Sequence, residues 1–261
     1  MKIRAKKSLG QNFLVDKLVL QKIVDISNIN EKSEVLEVGP GTGNLTEFIL
    51  KKRPKRIHVV EKDNELSKVL KEKFMDKIIV INDDILKISE NLISDQKLIV
   101  FGNLPYNIST EILSKWITNL GDTFWFSQLI LMFQKEVADR IVAKFNTSNY
   151  GRLSILTNWK LNVKKIIDIE PNSFFPIPKI KSSLLLFSPK EKFILLNKSK
   201  NLEMITRIFF NQRRKMIKNP FNQIFDKPDE ISQKLNIDLN LRPQNLSPEM
   251  YFKIVKEYEN L

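Results

Sequence analysis

Short apolar runs alternate with longer segments of helical periodicity along the first half of the chain. The runs are "VLEV" (35–38), "IHVV" (57–60), "IIVI" (78–81), "LIVF" (98–101) and "LILMF" (129–133). They are near-continuous rather than alternating, which predicts strands buried on both faces. Between them, residues 44–52, 63–73, 109–119 and 135–144 read as helices. Residues 18–27 also carry helical apolar spacing, at Leu20, Ile23, Val24 and Ile26. Buried strands separated by helices predict a parallel, doubly wound α/β sheet. Two more β-rich runs, near 159–169 and at 183–187, are expected to close an antiparallel edge. After "LLLFSPKEK" the pattern changes, and from about residue 200 short helices are broken by Pro220, Pro228, Pro243 and Pro248. The expected partition is a larger α/β domain over 1–188 and a small all-α domain over 189–261.

Composition narrows the chemistry. The chain has 261 residues, enough for one large domain and a small one. No apolar run approaches the roughly 20 residues of a membrane helix. The start, "MKIRAKKSLGQNF", lacks the apolar stretch and small-residue cleavage site of a secretory signal. A cytoplasmic protein with no membrane partner is expected. There is no cysteine, which excludes disulfides, thiolate zinc sites and a cysteine nucleophile. The single histidine, His58, sits in the strand-like "RIHVVE" and is expected to be a strand residue, so His-centred catalysis and a metal site are not expected.

The formal net charge is +13. One basic cluster holds Lys2, Arg4, Lys6 and Lys7. A second, "RIFFNQRRKMIKN", holds Arg207, Arg213, Arg214, Lys215 and Lys218. Such a surplus favours a polyanionic partner, with RNA or DNA ahead of an anionic membrane. The alternative is a lysine-rich chain with solvated faces.

The candidate site begins at "SEVLEVGPGTGNLTEFIL", a strand, a glycine turn and a helix. The spacing Gly39-x-Gly41-x-Gly43 is not the G-x-G-x-x-G of a dinucleotide fold. Glu37 directly before the loop would oppose an anion, so the loop suits a ligand with a cationic end and no phosphate. A merely tight strand-to-helix turn is the plain alternative. Glu61 ends the next strand, where a carboxylate can accept both hydroxyls of a ribose. Asp83 and Asp84 end the third, where an acid can accept from an adenine amino group. Ribose, adenine and a positive centre without phosphate describe S-adenosylmethionine (SAM).

The fourth strand ends in Asn103-Leu104-Pro105-Tyr106. An exocyclic amine on a base is a poor nucleophile, because its lone pair is delocalised into the ring. Two acceptors aimed at its N–H bonds would hold it closer to tetrahedral. The Asn103 side-chain oxygen can be one and the Leu104 carbonyl the other, since Pro105 biases Leu104 to an extended conformation. Tyr106 offers a flat face for the base, worth about 1–3 kcal/mol, and the base must be unstacked or flipped to reach it. No strong general base is needed, because the nitrogen becomes acidic once methylated and water can take its proton. Read in isolation, "NLPY" is a strand-ending turn.

With these residues in hand, the chain resembles the ribosomal RNA adenine N6-dimethyltransferases, the KsgA family. "KKSLGQNFLVD", "VLEVGPGTGNLTE", "VVEKD", "NDDIL", "FGNLPYNIST", "FFPIPKIKSSLLLF" and "FFNQRRKMIKN" match its motifs in order. The resemblance implies a Rossmann-like, SAM-dependent methyltransferase sheet with a small helical domain. It implies that SAM is contacted by Asn12, Leu14, Gly39, Gly41, Glu61, Asp84 and Asn103, and that Tyr106 and Phe174 sandwich the target adenine. Only the motif register selects Phe174 over its neighbour Phe175. The implied substrate is two adjacent adenines near the 3′ end of small-subunit rRNA, each dimethylated, in an immature 30S-type particle. The basic cluster from Arg207 to Lys218 would contact rRNA phosphate, although Arg213, Arg214 and Lys215 are consecutive and cannot share one helix face. A monomer is expected. Two alternatives stay open: the Erm class, which dimethylates one adenine of large-subunit rRNA, and a non-catalytic nucleic-acid-binding factor on the same fold.

Overall fold

The computed structural model of the chain describes residues 5–6 and 10–261. Lys2, Arg4 and Lys7 of the first basic cluster lie outside the described residues. By Cα proximity the chain divides into two compact units. One is Met1–Lys115 (as far as described), Thr123–Ala138 and Lys164–Pro189; the other is Trp116–Asp122, Asp139–Val163 and Lys190–Leu261. The sequence predicts one crossing near residue 189, and the chain does change units there. It also crosses at four earlier points.

Along the described chain, strand β1 (Phe13–Leu14) and helix α1 (Lys17–Asp25) come first. Asp16 caps α1 by accepting from the Leu18 and Val19 amides. Then come β2 (Glu34–Val38), α2 (Asn44–Lys51), β3 (Arg56–Val60), α3 (Asn64–Phe74), β4 (Ile79–Ile81) and β5 (Leu98–Asn103). They are followed by α4 (Ser109–Asn119), β6 (Phe126–Gln134), α5 (Lys135–Ile141), α6 (Arg152–Lys160), β7 (Leu161–Ile169), β8 (Phe174–Phe175) and β9 (Ser182–Pro189). All five residues of β2 are buried, as its continuous apolar pattern predicts for an inner strand.

The sheet order is β4-β3-β2-β5-β6-β9-β7. Strands β2 to β6 pair in parallel. Strand β9 runs antiparallel to β6, with Gln134 opposite Ser182. The expected antiparallel edge is present, but the later strand, β9, lies inside β7. From β2 the chain steps outward through β3 and β4, then returns to β5 on the other side. The gap at the carboxyl ends of β2 and β5 is therefore the topological switch point, where open α/β sheets bind ligands.

The second unit includes α6 and four further helices, α7 (Ser199–Asn211), α8 (Lys218–Ile224), α9 (Pro228–Leu235) and α10 (Pro248–Tyr258). Its core is aromatic: the Phe209 ring meets Phe221 and Tyr251 edge-on at 6.1 and 5.5 Å. Helix α6 is not predicted by periodicity. Six of its residues, Ser154 to Thr157 with Trp159 and Lys160, are buried, so no one-sided apolar stripe marks it. The β-rich run expected from 159 begins as a strand only at Leu161.

Candidate active site

At the switch point one cavity of about 170 Å3 is lined by Asn12, Leu14, Gly39, Gly41, Glu61, Asp84 and Asn103. Leu104, Pro105 and Tyr106 border it as well. The structure thus gathers ten of the sequence-predicted residues around one space. They come from β1, from the turn after β2, and from the tips of β3, β4 and β5. Registration explains the convergence. Val38 pairs with Gly102 across β2 and β5, so the glycine turn and Asn103 emerge side by side.

The glycine turn needs its glycines. Gly41 has φ +59°, and a Cβ there would lie 2.7 Å from the Phe13 ring. Gly102 has another reason, close approach: a Cβ would lie 2.8 Å from the Leu104 side chain. That space seats Leu104 in the core and so fixes the main chain that follows Asn103.

Asn103 has a defined orientation. Its Nδ2 donates to the Asn12 carbonyl at 2.8 Å, which leaves Oδ1 as an acceptor for another donor. The amino-terminal segment that supplies Asn12 is itself held down. Lys6 Nζ and Gln11 Nε2 donate to the two carboxylate oxygens of Asp63 at 2.9 and 3.1 Å. Burial acts to raise the Asp63 pKa, but the Lys6 and Gln11 bonds outweigh it and the net shift is downward. Asn44 Nδ2 donates to the Leu14 carbonyl at 2.8 Å, fixing the next stretch of cavity wall.

Glu61 is buried. Its two oxygens accept from the Gly41 and Asp63 amides at 3.2 and 2.9 Å. Burial pushes its pKa up, while these amide bonds oppose the rise. Asp84 accepts from Lys62 Nζ at 2.8 Å and from the Leu86 amide at 3.0 Å. The Lys62 bond holds its carboxyl below the usual range. Sequence reasoning missed Lys62; its only signal was adjacency to Glu61 in "VVEKD".

Glu37 sits on the cavity floor, 2% exposed, accepting from Thr46 Oγ1 at 2.6 Å. Burial raises its pKa to about 7; Thr46 opposes this and the Glu61 charge adds to it. The folded state therefore favours the protonated acid. The associated stability is fully present below the ordinary value of 4.5 and is lost as pH rises through about 7. Glu37→Gln is accordingly expected to flatten the fall in Tm between about pH 4.5 and 7. Matched thermal melts across that range check it, and parallel Tm–pH curves would remove Glu37 as the source.

Two expected residues stand elsewhere. Phe174 is 1% exposed and belongs to the core, away from the cavity lining. The β1–β8 pairing sets Leu14 opposite Phe174 and Phe13 opposite Phe175. Side chains alternate along a strand, so Phe174 points inward, and Phe175, 63% exposed, points outward. Phe174 is not among the residues that line the cavity, and its role against the adenine stays what the family resemblance implies. In the helical unit, Arg213 is half-buried and committed. It donates to the Thr147 and Ser148 carbonyls and to Gln244 Oε1, fastening chain at 147–148 and 244. Arg207, Arg214, Lys215 and Lys218 are exposed. His58 is the expected buried strand residue on β3.

A seven-stranded, mainly parallel sheet with a glycine turn, two acidic strand tips and an Asn-Leu-Pro-Tyr tip around its switch-point cavity is a Rossmann-like methyltransferase. A family profile described as "Ribosomal RNA adenine dimethylase" matches residues 2–260. The chain belongs to that family. It is 70% identical over 261 residues to "Ribosomal RNA small subunit methyltransferase A" of Pelagibacter ubique (strain HTCC1062), covering 100% of this chain and 99% of that protein. Among solved structures, a dimethyladenosine transferase from Plasmodium falciparum superposes with a TM-score of 0.82 at 26% identity, over 95% of this chain and 98% of that one. The 23S rRNA methyltransferase ErmE shares the fold, with a TM-score of 0.69 at 20% identity, over 95% of this chain and 100% of that one.

Proposed function

We propose that this chain transfers methyl groups from SAM to N6 of two adjacent adenines near the 3′ end of small-subunit (16S) rRNA. Four transfers give two N6,N6-dimethyladenosines during assembly of the small ribosomal subunit. The orientation of Asn103 carries the chemistry: with Nδ2 bonded to Asn12, Oδ1 is left to accept from an amine at the cavity. The 70% identical relative, named for the small subunit, supports that rRNA over the large-subunit substrate of the Erm class.

The cavity fits SAM by the chemistry of its donor set. A buried carboxylate at Glu61 suits two ribose hydroxyls, and Asp84 suits an adenine amino group. Glu37 borders the cavity, and a cation bound beside it would draw its carboxyl, whose pKa burial raises to about 7, towards the ionised form. Bound there, SAM supplies an electrophilic methyl group on sulfonium. Asn12, Leu14, Gly39 and Gly41 shape the walls. Asn103 Oδ1 and the Leu104 carbonyl take the two N–H bonds of the amine and localise its lone pair. Tyr106 supports the base, and water takes the proton released from N6.

The α/β unit is the catalytic part of this reading, and the helical unit around 189–261 contacts rRNA. The partner is an immature 30S-type particle, and the enzyme acts as a cytoplasmic monomer. Among the described residues no helix is long and apolar enough to cross a membrane. Charge reversal at Arg214 and Lys215 should weaken subunit binding and lower the slope of log K against log salt by about 1.4–1.8, the loss of two phosphate contacts. Charge reversal at Arg213 should instead lower Tm, because it removes the donor to the Thr147 and Ser148 carbonyls. Salt-titrated binding and thermal melts separate the two; an unaltered slope for Arg214 and Lys215 would make those charges merely solvated.

The function itself is tested by tritiated-methyl transfer from SAM to undermethylated small subunits, followed by nucleoside analysis. N6,N6-dimethyladenosine is expected. Methyl found on carbon or ribose, or on large-subunit rRNA alone, would overturn the reading.

A further inference from the structure

The motif "FFPIPKIKSSLLLF" contains a serine, Ser182, to which neither the sequence nor the reaction assigns a task. The structure places it at the first residue of β9, fully buried. Its Oγ lies 2.5 Å from the Tyr106 hydroxyl. Tyr106 belongs to the catalytic turn and borders the cavity, 76 residues away along the chain. We propose that Ser182 is a positioning residue that locks the Tyr106 ring in the attitude needed to stack against the target adenine.

Three features support this assignment. The first is that Ser182 is immobile. It pairs with Gln134 in the β6–β9 ladder, and the Lys135 amide donates to the carbonyl of Lys181, the residue before it, at 2.9 Å. The second is that Tyr106 has one free torsion that matters: a phenol ring at a cavity rim can swing about χ1 unless its far end is tied. A hydroxyl bond at the ring tip, opposite the Cβ, is the tie with the longest lever. The third is burial. A fully buried serine hydroxyl needs a partner, and the half-buried phenol supplies it, so each group satisfies the other. Burial raises the Tyr106 pKa, with the Ser182 bond opposing, which keeps the phenol neutral and a competent donor at assay pH.

The placement also gives a task to the antiparallel insertion. Strand β9 lies against β6 rather than continuing the parallel series, and its first residue reaches the catalytic turn that follows β5.

This inference rests on the proposed adenine chemistry, so wild-type transfer to undermethylated small subunits is measured first. No transfer by wild type would defeat that chemistry rather than the role of Ser182. With wild type active, Ser182→Ala and Tyr106→Phe should each lower kcat/KM for the RNA about five- to tenfold. Affinity for SAM by calorimetry should stay within twofold. Tyr106→Phe keeps the ring and deletes only the hydroxyl, so it is informative even if Ser182→Ala folds poorly. The double variant should be no worse than the weaker single one, because both remove the same bond. An RNA carrying 2-aminopurine at the target position should show less stacking-dependent quenching in both single variants. Multiplying defects in the double variant, or kcat/KM unchanged in Tyr106→Phe, would overturn the assignment.

Discussion

Asn103→Ala is expected to lower methyl transfer by about a hundred- to a thousandfold while SAM affinity stays within tenfold. The scale is that of deleting one preorganised polar group aimed at the reacting atoms. The backbone at 103 is held in β5 by its pairing with Met132, so alanine leaves the strand in place. What disappears is Oδ1, one of two acceptors that localise the lone pair on N6, together with the donor to the Asn12 carbonyl. Without the first acceptor the amine stays conjugated with its ring and reacts slowly. Asn103→Asp sharpens the test. It keeps an oxygen near the same place but sets a carboxylate against the Asn12 carbonyl where an N–H stood. It should therefore fail to rescue. Single-turnover transfer and calorimetry with SAM measure the two quantities independently. A wild-type rate in Asn103→Ala would remove the residue from the mechanism.

Glu61→Ala is expected to weaken SAM binding by at least about two hundredfold. A hydrogen bond to a charged group contributes about 1.5–3 kcal/mol, and a carboxylate on a ribose makes two. The loss is compounded locally. Glu61 also accepts from the Gly41 and Asp63 amides, so alanine leaves two donors without an acceptor and loosens the glycine turn. Glu61→Gln should fall in between. Its carbonyl oxygen can keep one amide, but its NH2 group then faces the other donor. Calorimetric affinity unchanged in Glu61→Ala would count against the ribose assignment.

Much of this site can be read from the chain because its residues are strand tips. A parallel strand buried on both faces announces itself as a continuous apolar run, and the residue after the run must stand at the carboxyl edge. Glu61, the Asp83-Asp84 pair and Asn103 are placed at that edge by this logic, and only the family resemblance selects Asp84 from its pair. What escapes is whatever depends on a distant partner. Phe174 and Phe175 are equally apolar, and only the pairing with Phe13 and Leu14 decides which one faces inward. Arg213 looks like its basic neighbours, yet its acceptors lie 66 and 65 residues away. Helix α6 is hidden by being buried on nearly every side. The two compact units interleave along the chain because spatial contact, not the change of pattern near 189, decides membership.

The amino-terminal segment has a practical consequence. Lys6 and Gln11 fasten it to Asp63, and Asn12 holds the catalytic amide. A change at Asp63 would therefore reach the cavity through Gln11 and Asn12, so turnover can be altered from a residue that does not itself line the site.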